Sequence, residues 1–165
     1  MRPDFKATVL PDSADDSLVI AYRRWCDLVS SGRLPSLSDM LAHETLRDHP
    51  GLAIIEVEWR DVGKPRFRFG RTEVLAEAFD RDGEGYALDE MVTPDSYPGI
   101  ERTYRIALDE RRGHYWIRTI VTRQGDMRSF ERLLLPLSED GHTVERLLGL
   151  FVRLKEGDSD VAEAI

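Results

Sequence analysis

The chain has 165 residues, enough to bury one sizeable core as a single domain without metal or disulfide support. A formal charge of −8, from 31 acidic and 23 basic residues, argues against a partner with a phosphate backbone, because such a partner demands a concentrated basic face. The apolar share of 41% excludes a disordered chain, and the lone Cys26 excludes an internal disulfide framework.

Residues 1–16 carry Pro3, Pro11 and an acidic cluster and are expected to form a flexible lead. They are too polar for a signal peptide, and no apolar run reaches the roughly 20 residues a membrane span needs, so the expectation is a cytoplasmic protein with no membrane partner. Asp15, Asp16 and Ser17 supply helix-starting oxygens. Leu18, Ala21, Tyr22, Trp25, Leu28 and Val29 then recur at three- and four-residue spacing, which predicts a helix with one apolar stripe ended by Gly32. Ser36 with Asp39 has the form of a capping box and predicts a second, shorter helix. These helices make residues 17–48 an N-terminal extension.

From Leu52 to Trp59 the pattern becomes strand-like, and after a turn at 61–64 Phe67 and Phe69 alternate with Arg66 and Arg68, predicting a β-hairpin. Short helical pieces are predicted at 73–79 and 87–92. A longer helix follows between Pro98 and Gly113, with Ile100, Tyr104, Ala107 and Leu108 on one face. Three strands close the chain: residues 114–121, 130–137 and 144–154, with turns around Gly125 and Gly141. Residues 49–155 are the expected core, and 156–165 a frayed acidic tail. Two hairpins separated by helices do not fit strict β-α-β alternation, so the fold class is α+β with one antiparallel sheet.

The segment Ser129–Gly141, containing Glu131-Arg132-Leu133-Leu134-Leu135-Pro136-Leu137, resembles a divergent group of single-domain PAS proteins found mainly in alphaproteobacteria. Gly32-Arg33-Leu34-Pro35-Ser36 and Phe67-Arg68-Phe69-Gly70 add to the resemblance, although relatives commonly carry Tyr-Arg-Leu where this chain has Phe67-Arg68-Phe69. It implies a PAS-like five-stranded antiparallel sheet with helices on one face, here with an added N-terminal helix. It also implies a small apolar cavity between sheet and helices, and a sensory or regulatory role that uses no enzyme chemistry. Leu75, Phe79, Leu88, Met91, Ile100, Tyr104, Tyr115, Ile117, Phe130 and Leu134 are the candidate lining of that cavity. The expected partners are a signalling protein and a small-molecule ligand. A homodimer is expected through Leu18, Tyr22, Trp25 and Val29, because that stripe must be buried somewhere.

No cofactor or metal is expected. His43, His49, His114 and His142 lack metal-ligand spacing. The Asn-Cys-Arg pattern of light-sensing PAS domains is absent, and the helix before the last three strands, which carries the proximal histidine in haem PAS proteins, has none between Ile100 and Leu108. Asp109 and Glu110 with His114 could orient an imidazole for acid–base work, but a solvated helix end accounts for them. Within the predicted strand at 130–137, Glu131 and Arg132 must point to opposite faces, and each needs a partner if buried: a structural ion pair, or a ligand. Two alternatives stand beside the sensory reading: a purely structural interaction module, and a cone-shaped α+β enzyme of the nuclear-transport-factor-like kind.

Overall fold

The computed structural model describes residues 10–61, 64–72, 83–121, 125, 127–154 and 163–164. In chain order these form α1 (Asp16–Leu28), α2 (Leu37–Leu41), α3 (Glu44–Arg47), β1 (Leu52–Asp61), β2 (Lys64–Thr72), α4 (Leu88–Met91), α5 (Tyr97–Asp109), β3 (His114–Val121), β4 (Met127–Leu137), β5 (Arg146–Arg153) and β6 (Glu163–Ala164). The strands make one sheet in the order β2-β1-β5-β4-β3-β6. The five long strands are antiparallel to every long neighbour. The short β6, in a tail the sequence reading left frayed, runs parallel to β3 beside Arg118 and Thr119.

Local chemistry starts the helices where the sequence placed them. The Asp15 side chain accepts from Ser17 N–H at 2.9 Å, and Ser36 and Asp39 form the expected reciprocal capping box. Pro98 sits in the first turn of α5, where a missing N–H costs nothing. The predicted stop for α1 was Gly32, but the helix ends at Leu28. Gly32 instead occupies a left-handed position, φ +75°, in the turn that follows. Gly113 likewise does not close α5. It is a point of close approach, where a Cβ would meet the Tyr22 ring at 3.0 Å and Leu135 Cδ2 at 3.3 Å.

Alternation along the strands defines two faces. On the inner face, Phe67 of β2 meets Tyr104 of α5 edge-on at 5.2 Å between ring centroids, and Arg132 of β4 donates to Thr103 of α5. On the outer face, Trp25 Nε1 of α1 donates to Pro136 O at 2.9 Å, and Glu131 accepts from Asp15 N–H. The stretch of α1 from Asp15 to Trp25 rises about 15 Å. The stretch of β4 from Glu131 to Pro136 extends about 17 Å, so the helix lies along the strand. Helices interposed between β2 and β3 therefore cover the inner face, as the resemblance implied, while the N-terminal helix covers the outer one. This double cover is why Phe130–Leu137 is buried throughout.

Leu18, Tyr22 and Trp25 are the stripe expected at a dimer interface, and they are buried against the sheet of their own chain. The demand for burial that motivated a dimer is met internally. Val29 is half-buried at the helix end, and Cys26 is half-buried against the same core. The helix predicted at 73–79 lies outside the described residues, as do Leu75 and Phe79.

Candidate functional site

The inner face carries two arginines where a packed core would ordinarily be apolar. Register fixes which residues share that face, since directly opposed residues in an antiparallel pair point the same way. The pairs His114↔Leu134, Trp116↔Arg132 and Arg118↔Phe130 therefore all look toward α5. Arg132 is 3% exposed. Its guanidinium lies 4.3 Å from the Trp116 ring centroid and 5.5 Å from that of Tyr104, and Arg118 lies 5.0 Å from Trp116 on the same side of the sheet.

The hydrogen bonds to this pair are incomplete. Arg132 donates from NH1 to Thr103 Oγ1 at 3.2 Å and from NH2 to His114 Nδ1 at 2.7 Å. Its Nε and the Nε of Arg118 are both buried and have no acceptor among the described residues. No carboxylate among the described residues pairs with either guanidinium. Burial pulls Arg132 down to about 9 and Arg118 to about 10, which leaves both cationic at neutral pH.

Burial, reinforced by Arg132 and Arg112, brings His114 down to about 4. Its ring is neutral at pH 7, as it must be for Nδ1 to accept from Arg132. The unfolded chain takes up a proton near pH 6.5 and the folded one only near 4, so stability is full above 6.5 and drains away as pH falls toward 4. Discounted for the partial exposure of the ring, the loss is up to about 2 kcal/mol. Urea unfolding at pH 7 and pH 4.5 measures it, and His114→Asn, whose Oδ1 stands in for Nδ1, narrows the difference between the two, the remainder including His49, which burial also holds below its ordinary value.

The structure divides the residues proposed from sequence as cavity lining. Leu88, Met91, Ile100, Tyr104, Phe130 and Leu134 are buried on the α4–α5 side of the sheet or in those helices. Tyr115 and Ile117 are opposite Leu133 and Glu131 and face α1 instead. The Tyr115 hydroxyl donates to Glu131 at 2.7 Å, so the partner sought for this phenol is an outer-face carboxylate and not an interior ligand. Sequence reasoning missed Trp116, Arg118 and Thr103, and weighed His114 only for acid–base work beside Asp109 and Glu110.

A second polar cluster lies on the outer side. Gly51 N–H donates to His49 Nδ1 at 2.9 Å, which places the proton of the neutral ring on Nε2, facing Ser17 Oγ at 2.9 Å. Ser17 in turn donates to Asp15. The tautomer is wrong for nucleophile activation, because Nε2 already holds the proton a general base would have to take. This cluster fastens the start of α1 to the segment entering β1. Among the described residues no group of three or more His, Cys, Asp or Glu is placed to hold a metal. None of their helices is long and apolar enough to cross a membrane.

No protein-family model matches the sequence, and no curated protein matches it. Among solved structures the chain is similar to the RsLOV d2 variant, with 17% identity and a TM-score of 0.48 over 67% of this chain and 64% of that one. It is also similar to the PAS domain of a protein from Colwellia psychrerythraea, with 10% identity and a TM-score of 0.45 over 62% and 86% of the two chains. A sensory box histidine kinase/response regulator from Burkholderia thailandensis E264 follows, with 14% identity and a TM-score of 0.42 over 67% and 82%. The match spans just under two thirds of the RsLOV chain. The fold assignment rests on the antiparallel five-strand sheet with its interposed helices on one face. The fold is PAS-like.

Proposed function

We propose that this PAS-like domain is a sensory or regulatory module in which occupancy of the inner face is passed through β4 to the N-terminal helix, and from there to another protein. The observation that carries the reading is the pair Glu131 and Arg132. Both are buried, at 4% and 3% exposure, on consecutive residues of one strand. Arg132 faces α5, and Glu131 faces α1, where it accepts from the N–H of the capping residue Asp15. A shift of β4 that re-seats Arg132 must re-aim Glu131 one peptide away, because strand residues turn together. The bistable element would be the seating of α1.

Two other readings fit less well. A purely structural module gives no account of a buried guanidinium beside a half-exposed one, with neither paired to an acid among the described residues. A cone-shaped enzyme needs an acid–base pair on the inner face, and the described histidine there, His114, has Nδ1 occupied by Arg132.

Amide exchange read by mass spectrometry tests the relay. Glu131→Ala removes the acceptor of Asp15 N–H and of the Tyr115 hydroxyl, so α1 amides are expected to exchange about tenfold faster while the β1–β2 hairpin is little changed. Arg132→Met touches no residue of α1, yet the relay requires it to alter α1 exchange by more than it alters the hairpin. Equal changes in both regions would reduce the effect to global stability and end the proposal.

A further inference from the structure

A buried guanidinium with no acid beside it is an expensive arrangement. Among the described residues, the desolvation of Arg132 is offset by two neutral hydrogen bonds and by the faces of Trp116 and Tyr104. A second cation, Arg118, lies over the same Trp116 ring, so each raises the cost of the other. Stability alone would favour leucine or methionine at such a position. The geometry points to a ligand that supplies the missing negative charge.

We propose that the inner face binds a small organic monocarboxylate with a flat or apolar body, its carboxylate received by the Nε edges of Arg132 and Arg118. This rests on the sensory reading only in taking the inner face as the ligand side. The donor set argues for the carboxylate. NH1 and NH2 of Arg132 each already serve one acceptor, and the unsatisfied donor is Nε, which with its neighbouring N–H makes the side-on fork that fits a planar carboxylate. Arg118 presents the same unsatisfied Nε. His114 is neutral and adds no charge. The surroundings argue for the body. Phe130, Leu134 and Phe151 share the inner face with the arginines, and Phe67 and Tyr104 close it from β2 and α5. Free phosphate, hydrated on every oxygen, would find too few donors there to replace its water.

Titration calorimetry on the full chain, extensively dialysed, supplies the test, with benzoate as probe and benzamide and inorganic phosphate as controls. Benzoate is expected to bind, and the neutral benzamide to bind at least about 30-fold more weakly. Arg132→Met should weaken benzoate by about 30-fold or more and the half-exposed Arg118→Met by about tenfold. Benzamide binding as well as benzoate, benzoate failing to bind, or both variants retaining wild-type affinity would each overturn the site. Phosphate binding as tightly as benzoate would overturn the carboxylate assignment. Exchange at α1, read on the same samples, separates the two proposals. Benzoate bound with α1 unchanged leaves the site standing and removes the relay. Absence of binding while Arg132→Met still perturbs α1 selectively does the reverse.

Discussion

Arg132→Met makes the ligand-free protein more stable, by about 2 kcal/mol, which for a domain of this size raises Tm by about 4–8 °C. Substituting a buried polar side chain usually destabilises, so the sign is what discriminates. Methionine is unbranched and close in length to the arginine stem, so it keeps contact with Trp116 and Tyr104 while removing a charge that has no acid near it among the described residues. Two groups lose a partner. Thr103 Oγ1 still donates to Ile100 O at 2.7 Å, and His114, only partly buried, can turn Nδ1 to solvent. Arg132→Ala, which leaves a hole beside the two rings, is expected to forfeit the gain. Urea unfolding of the three proteins decides it. If Arg132→Met unfolds more easily than wild type, the guanidinium is a structural member of the core and the carboxylate site loses its rationale.

A position that lowers stability in isolation and recovers it on binding is what a sensor needs, because the ligand then has a free-energy difference to act on. Glu131 shows the contrasting case on the same strand. It is equally buried, but its Oε1 accepts from both Asp15 N–H and the Tyr115 hydroxyl, and the phenol is held above its ordinary pKa by burial and by that carboxylate. It is a finished joint between sheet and helix.

The fold was largely legible because its signals were local. The Ser36–Asp39 box, Pro98 at the head of α5, and the alternation of Phe67 and Phe69 each announce their element from a few residues, and the structure places the elements there. The site was less legible, for a reason rooted in β3. Its two faces read His114, Trp116, Arg118 and Tyr115, Ile117, Thr119, and each mixes apolar with polar side chains. Alternation separates the two sets without saying which one faces α5. The sequence reading chose Tyr115 and Ile117, and pairing with β4 assigns the opposite set. The burial of Phe130–Leu137 on both sides carried the missing hint. A strand apolar on both faces must be covered on both, so the sheet needs a cover opposite α5, and α1 supplies it.

That placement makes Trp25 the residue on which the outer cover depends. Trp25→Ala is expected to cost about 4 kcal/mol, lowering Tm by about 8–16 °C. The indole is 1% exposed, so its removal leaves a void between α1 and β4, and Pro136 O loses the donor that Nε1 supplied. Tyr22, whose ring centroid lies 6.2 Å from that of Trp25, loses its stacking neighbour and with it part of the contact around Gly113. Trp25→Phe refills most of the volume without the N–H and should cost about 1–2 kcal/mol. When α1 lifts, Leu133, Leu135, Leu148 and Leu150 become an exposed apolar face, and self-association detectable by light scattering is expected for Trp25→Ala but not for wild type at the same concentration. A loss below about 1 kcal/mol, with the variant still monodisperse, would mean that α1 is not integral to the sheet's outer cover, and a helix so weakly seated could not report a change at Glu131.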